Sequence, residues 1–442
     1  MRIAKNILLI ALCMFVSTFV STNCANEELA TETFGIACGT DITRISIVRD
    51  VSLAHTFLSK RLGAENVYLI TYVDPELRDD PDSRGETWDS LGTIEGVPPL
   101  EVPQFDAKGV NEYVASPEGL KRLIEDIGER SSSGDVVFFD FEGHGDQQSR
   151  LKPAENTISF SIDSTAYTEL AEWLTAYLPG RRVMIFTTLC HGGGNHQMAF
   201  DLPNVSVISG TNHEFGKDCP GPIDVFTLGF YKAFEDNPNA TFSEAYWSAV
   251  LNDPHNSDDA KISSEVYLEV LFGKGDYSKE NITGYSVQEY CEASMSEMYA
   301  LSEEIDRIEE LWKKDKFANP ADFLPEQIAA MKNHLIHREL DWLKEIIGSQ
   351  EWQESKKSYA KGLQELKKVV KERKGKAWPS REDFQDVRRP IEREFYPLVL
   401  AREWFNKIES LNLLFKDDRL VEERRKYLDL LEHENRPVFP TE

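Results

Sequence analysis

The sequence predicts an α/β protein: a mostly parallel sheet sandwiched by helices, followed by an all-α unit at the carboxyl end. Three observations carry this. Between residues 34 and 284, apolar runs of strand length alternate with stretches of helical periodicity, the pattern of strands joined by covering helices. After about Tyr285 the strand-like runs stop, and apolar residues recur at helical spacing. The 442 residues also exceed what one ordinary core holds.

Each element follows from its own pattern. Gly35 to Thr40 reads as a first strand and turn. Asp50 to Leu62 carries Val51, Ala54 and Leu58 at helical spacing and stops at Gly63. Val67 to Val73 is a second strand, closed by Asp74 and Pro75, and a loop region rich in Asp, Gly and Pro runs from there to Gly109. Ser116 caps a helix with Pro117 in its first turn and Leu120, Leu123, Ile124 and Ile127 on one face. Val136 to Phe141 is nearly all apolar and so expected to be buried on both faces.

Ile158, Phe160 and Ile162 alternate with polar residues, as in an edge strand or hairpin. Thr165 to Leu178 is helical, Val183 to Thr188 and Val205 to Ser209 are buried strands, and Asp224 to Phe234 and Phe242 to Leu251 are helices. Thr241 and Glu244 open the last of these at capping-box spacing. Beyond Tyr285, the series Leu301, Ile305, Ile308 and Leu311, then Ile328 to Ile347, then Trp404, Ile408 and Leu411 predicts a bundle of amphipathic helices. The expected division is a signal peptide over 1–25, a catalytic unit over 30–285 and a helical domain over 286–442.

The signal peptide rests on Arg2 and Lys5, the apolar run from Ile7 to Val20, and the small polar residues Ser21 and Thr22. A secreted or periplasmic location follows as an expectation. Cys24 offers a lipid anchor as the alternative. No later stretch is apolar enough for a membrane span. Six cysteines are too few for a disulfide framework, although Cys38, Cys219 and Cys291 leave room for one bridge. Asn204, Asn239 and Asn281 are glycosylation acceptors by motif.

The net charge of −27 argues against nucleic acid as a partner, because phosphate binding needs a basic face. The acidity belongs to the front half: the first 285 residues hold 43 acidic and 21 basic side chains, the remainder 33 and 28. That bias favours basic substrates or serves solubility alone.

Chemistry collects where parallel strands end, because the loops there are held by the sheet beneath them. One strand runs through Phe141, Glu142 and Gly143 into His144 and Gly145. Another runs through Thr187, Thr188 and Leu189 into Cys190, His191 and three glycines. A thiol is mostly protonated at neutral pH, so a nucleophilic cysteine needs a basic neighbour, and a histidine on an adjacent strand end supplies one. Glycines beside both leave room for a substrate backbone and free N–H groups for an oxyanion. Gly145 and Cys190 are the candidate oxyanion donors.

Singly, each residue has a bland reading, a core thiol and a loop histidine. Together, at two strand ends, they favour catalysis. A metal site built from Cys190, His191 and His196, completed by His144 or His213, is the competing reading.

A strand ending in His-Gly, followed 46 residues later by a strand ending in Cys, resembles the caspase-like cysteine peptidases. Phe138 to Gly145, Val183 to Cys190, Asn204 to Thr211 and the opening Gly39-Thr40-Asp41 resemble the legumain family in particular, over residues 34–250. The resemblance implies a cysteine endopeptidase with a caspase-like sheet, acting on a peptide or protein substrate without a cofactor. It also implies a helical prodomain that covers the site until released, for instance through the Lys-rich stretch from Lys356 to Lys376. A transpeptidase, and an inactive relative acting as a binding protein, are the other outcomes it allows. Legumain relatives carry an acidic residue two places before the nucleophile, and this chain has Thr188 there. Arg44, Arg49, Thr188 and Asp224 are candidates for the specificity pocket, and Asp41 for orienting His144.

Overall fold

The protein is described by a computed structural model, which covers residues 31–40, 45–70, 112–146, 148, 153–160, 163–211, 225–252, 260–272, 302–303, 305–307, 309–310, 349–373 and 396–439. Its strands are β1 (Thr33–Gly39), β2 (Val67–Ile70), β3 (Glu112–Tyr113), β4 (Val136–Glu142), β5 (Gly145–Asp146), β6 (Thr157–Ser159), β7 (Ser164–Ala166), β8 (Arg182–Thr187), β9 (Val205–Ser209) and β10 (Lys261–Ile262). The helices before residue 300 are α1 (Ile45–Leu62), α2 (Pro117–Arg130), α3 (Tyr167–Tyr177), α4 (His196–Asp201), α5 (Val225–Asp236), α6 (Phe242–Asn252) and α7 (Ser263–Phe272). Later come α8 (Gln350–Arg373), α9 (Tyr396–Lys416) and α10 (Val421–Glu434).

Seven strands form the main sheet in the order β10-β9-β8-β4-β1-β2-β3, parallel except for β10, which runs antiparallel to β9. The expected α/β architecture, with a mostly parallel sheet between helices, is therefore present. β4 lies at the centre because Val136 to Phe141 is buried along its whole length, leaving no face for water. Its even positions face α5: Phe138 stacks on Phe230, and Tyr231 donates its hydroxyl to Asp140. α2 and α3 pack on each other so closely that a Cβ on Gly128 would lie 2.4 Å from the Tyr177 carbonyl oxygen.

Local signals set the helix starts. The Ser116 hydroxyl accepts the Gly119 N–H at 3.0 Å. The capping box at Thr241 closes both ways, with Thr241 N–H donating to Glu244 at 2.8 Å and Glu244 N–H donating to Thr241 at 3.1 Å. Ile158 lies on β6, which forms the expected hairpin with β7 within a separate small sheet, β5-β6-β7. The bundle positions from Leu311 to Ile347 lie outside the described residues. Cys38 is a free thiol buried in β1, so it forms no bridge, and Cys219 and Cys291 lie outside the described residues.

The boundary at residue 285 separates strands from helices but not one core from another. Phe439 is buried against Phe57, Phe138 and Phe234. Arg182, the first residue of β8, donates to the carbonyls of His433 at 2.7 Å, Arg436 at 2.8 Å and Pro437 at 2.5 Å. Val438 N–H reaches the Ala240 carbonyl at 3.3 Å, and Lys407 pairs with Glu265 of α7. The segment 396–439 thus completes the core of the α/β unit. Its carboxyl-terminal residues dock at the amino-terminal ends of the strands, about 20 Å along β8 from Cys190.

Two adjacent tail residues carry opposite pH dependences. Burial raises the Glu434 carboxyl from about 4.5 to about 8, although the Ser264 N–H donates to it at 2.9 Å and Lys407 is near. Burial, then Arg182 and Arg436, hold the His433 ring down at about 3, with Nδ1 2.7 Å from the Ser206 hydroxyl. Between pH 4.5 and 8 the folded Glu434 keeps a proton that the unfolded chain has lost, so its stabilisation falls as pH rises. For His433 the unfolded chain binds the extra proton between pH 3 and 6.5, so its stabilisation falls as pH falls. The two slopes oppose one another up to pH 6.5, leaving Glu434 to act alone above it. The unfolding free energy of the native protein, from urea melts, is expected to drop from pH 6.5 to 8 by about 1.4 kcal/mol per pH unit from this group. Glu434→Gln is expected to flatten that segment, and an unchanged slope in the variant removes Glu434 as its source.

Candidate active site

β4 and β8 are neighbours, parallel and in register, with Phe141 opposite Thr187. Their carboxyl ends therefore lie side by side, and local hydrogen bonds decide the path of the chain beyond each strand.

After β4 the chain turns at Gly143, whose φ of 128° is open to glycine and costly for other residues. The turn is pinned to β1: Thr40 N–H donates to the Glu142 carbonyl at 3.0 Å, and His144 N–H donates to the Thr40 hydroxyl at 2.6 Å. A Cβ on Gly143 would lie 2.2 Å from that hydroxyl, so the residue is glycine on two counts.

After β8, Thr188 N–H donates to the Phe141 carbonyl at 3.0 Å, continuing the ladder by one residue. Thr211 then ties the next turn down. Its hydroxyl donates to the Leu189 carbonyl at 2.7 Å and accepts the Gly192 N–H at 3.0 Å. Cys190 sits at the crest between these bonds, half-buried. His191 behind it adopts a left-handed backbone with φ of 60°, a conformation that costs a non-glycine residue energy and persists where the surroundings force it.

The two strand ends touch. A Cβ on Gly145 would fall 2.1 Å from the Cys190 carbonyl oxygen, so only glycine lets the two backbones approach this closely. Gly145 also pairs with Ile158 of the small sheet, while Ser159 N–H donates to the His144 carbonyl at 3.0 Å. That makes Gly145 a non-hydrogen-bonded ladder position, and the ladder does not use its N–H. A histidine, a half-exposed thiol and a backbone donor outside the ladder are thus drawn to one place.

Beneath them lies a buried acidic layer. Glu142 accepts the hydroxyls of Thr188 and Thr227, the latter at 3.0 Å. Burial and then the charge of Glu142 raise the Asp140 carboxyl well above the ordinary aspartate range. Cys38, on the neighbouring strand, has its thiol pushed far up by burial and then by Asp140, so it stays protonated and inert. Of the two described free thiols, Cys190 is the one that reaches solvent.

Of the sequence candidates, His144, Gly145, Cys190 and Thr188 are brought together. Thr188 turns its hydroxyl onto Glu142 of the adjacent strand. Asp41, Arg44, Asp224 and His213 lie outside the described residues, as does the side chain of Arg49. The metal reading fails at His196: it is fully buried, with Nδ1 3.1 Å from the Ser263 hydroxyl and Nε2 2.9 Å from that of Ser209, which leaves neither nitrogen to ligate. Thr40, Glu142 and Thr227 are site residues that periodicity does not flag, because their partners are distant in sequence.

The chain matches no protein-family model and no curated protein. Among solved structures it is similar to protein GSU0716 from Geobacter sulfurreducens, at 12% identity and a TM-score of 0.33. The match covers 52% of this chain and 92% of that one.

Proposed function

We propose that this protein is a cysteine endopeptidase of the caspase-like, legumain-related kind, with Cys190 as nucleophile and His144 as proton carrier. The observation that carries the reading is the contact between the His144-Gly145 corner and Cys190 at two adjacent parallel strand ends. A solvent-reaching thiol, an imidazole on the neighbouring strand and an N–H outside the ladder are the parts that acyl transfer needs.

In this mechanism His144 takes the thiol proton and the Cys190 sulfur attacks the scissile carbonyl carbon. The oxyanion that develops accepts the N–H groups of Gly145 and Cys190. His144 returns its proton to the leaving amine, giving a thioester on Cys190. It then takes a proton from water, whose oxygen displaces the sulfur and frees the acid. The substrate is a peptide or protein, and each step uses this chain's own groups. The amino-terminal pattern of Arg2, Lys5 and the apolar run to Val20 supports a secreted enzyme.

The test is cleavage of a mixed fluorogenic peptide library by the full chain, paired with mass-spectrometric capture of a peptidyl electrophile. The expected result is hydrolysis, with the electrophile on Cys190. Capture on another residue, or no turnover with any peptide at acidic or neutral pH, overturns the reading.

A further inference from the structure

Two helices descend from the end of the sheet that carries Cys190. α3 begins at Tyr167, directly after β7, and the small sheet holds that start near the dyad: Gly145 pairs with Ile158, and the neighbouring Thr157 pairs with Ala166. α4 begins at His196, on the chain that leaves the Cys190 turn, and its Nε2 meets the Ser209 hydroxyl at the carboxyl end of β9. Both helices run toward the other end of the sheet. α3 ends at Tyr177, shortly before β8 begins, and the Leu202 carbonyl after α4 accepts the Val205 N–H at the start of β9 at 3.0 Å.

Between the two helices lies a groove of about 370 Å³. Ala154, Ala171, Met198 and Leu202 line it with carbon, and Tyr167 stands at the end nearer the dyad. Ala154 belongs to the turn packed against residues 192–195, so the groove starts where the chain leaves Cys190. From Tyr167 to Ala176 the helix rises about 13 Å, the span of about four residues of extended peptide.

The rims are acidic. Glu172 and Asp201 each stand five residues into their helix, so the two carboxylates line the groove at similar depth. Both are exposed, and neither makes a hydrogen bond or an ion pair with any described residue. Among the described residues, no lysine, arginine or histidine lines the groove. An apolar floor between two unpaired carboxylates complements a peptide that carries apolar and basic residues: the carbon stems of lysine or arginine lie along the floor while the charged heads reach the rim. The surplus of acidic side chains in the first 285 residues attracts the same kind of partner.

We propose that this groove binds the substrate, taking a segment of apolar and basic residues that lies outside the scissile bond. The inference rests on Cys190 being the nucleophile, and it supplies a substrate class that the dyad does not. Contacts so far from the reacting atoms are the same before and during the chemical step, so the groove lowers KM and leaves kcat unchanged.

The test uses the full chain. In Cys190→Ala, fluorescence anisotropy follows a labelled hexapeptide of alternating leucine and lysine, and its counterpart with glutamate in place of lysine. The glutamate peptide is expected to bind about tenfold more weakly. Glu172→Gln combined with Asp201→Asn is expected to weaken the lysine peptide about fivefold, the effect of losing two exposed ion pairs. Ala171→Phe, which fills the floor at a half-buried position, is expected to weaken it as well. Glu235→Gln with Asp236→Asn removes the same charge at the exposed end of α5, outside the groove, and is expected to change affinity by less than about twofold. With native Cys190, a cleaved library peptide extended by the leucine-lysine segment is expected to show a KM about fivefold lower, a gain that the Glu172, Asp201 variant removes at constant kcat. Equal binding of both peptides overturns the proposal, as does a loss as large in the α5 control as in the groove variant, or a KM unchanged by extension at either end. Glu172 and Asp201 are exposed, so their variant decides even where Ala171→Phe does not fold. The two readings fail separately: an electrophile that misses Cys190 defeats the peptidase assignment, whereas capture on Cys190 without binding in the groove defeats this one alone.

Discussion

Cys190→Ala is expected to abolish peptide hydrolysis while leaving the fold intact. Without the sulfur no acyl-enzyme forms, and removing a covalent nucleophile whose partners act only through it costs about 10⁶ in kcat. His144→Ala is expected to fall nearly as far, because His144 supplies the thiolate and later the proton for the leaving amine. The double variant is expected to be no worse than either single one, since the two residues act as a unit. Circular dichroism and thermal melting should stay close to native, because Cys190 is half-buried at a turn that Thr211 and Thr188 hold through backbone groups. Steady-state kinetics on a cleaved library peptide measures all three variants. Appreciable turnover in Cys190→Ala, or additive losses in the double variant, goes against the dyad.

The second large effect concerns the carboxyl-terminal segment. A chain ending at residue 395 is expected to be insoluble or unfolded rather than activated. The segment contributes Ile408, Leu411, Leu414, Phe415, Tyr427, Leu430 and Phe439 to the buried core. It also accepts the three hydrogen bonds of Arg182, which is mostly buried and has no other way to satisfy them. Phe439→Ala tests the same point without truncation. Opening a cavity between Phe57, Phe138 and Phe234 is expected to cost about 3–5 kcal/mol, read from urea unfolding monitored by circular dichroism. A truncated chain that stays folded and gains activity restores the view of this segment as a detachable cover.

Much of the fold was legible because its signals are local. The buried runs Val136 to Phe141 and Val183 to Thr187 could be little else than central strands of a parallel sheet, since no polar face interrupts them. Ser116 and the Thr241, Glu244 pair announced helix starts through hydrogen bonds that close within three residues. The short strands β3 and β10 gave no such signal, because two residues carry no period and their pairing is set by the strands beside them.

The site divides in the same way. His144, Gly145 and Cys190 could be selected from the sequence, because glycine-flanked reactive residues following buried runs mark strand ends that chemistry can reach. Their contact could not, since it depends on β4 and β8 being neighbours in register. The roles of Thr40 and Glu142 were likewise hidden. Each acts on a partner far along the chain, which only the folded sheet brings near.

The carboxyl-terminal helices show the limit most clearly. Their amphipathic period fixes that they are helices with one buried face, as α9 and α10 are. Which surface takes that face is a question of complementarity between distant segments, and periodicity carries no information about it. The sequence alone determined the α/β order, the helical tail and the two reactive strand ends. The tertiary structure decided that the last part of the tail belongs to the sheet's own core, because Arg182, Ser264 and the phenylalanines around Phe138 need it there to be dry and paired.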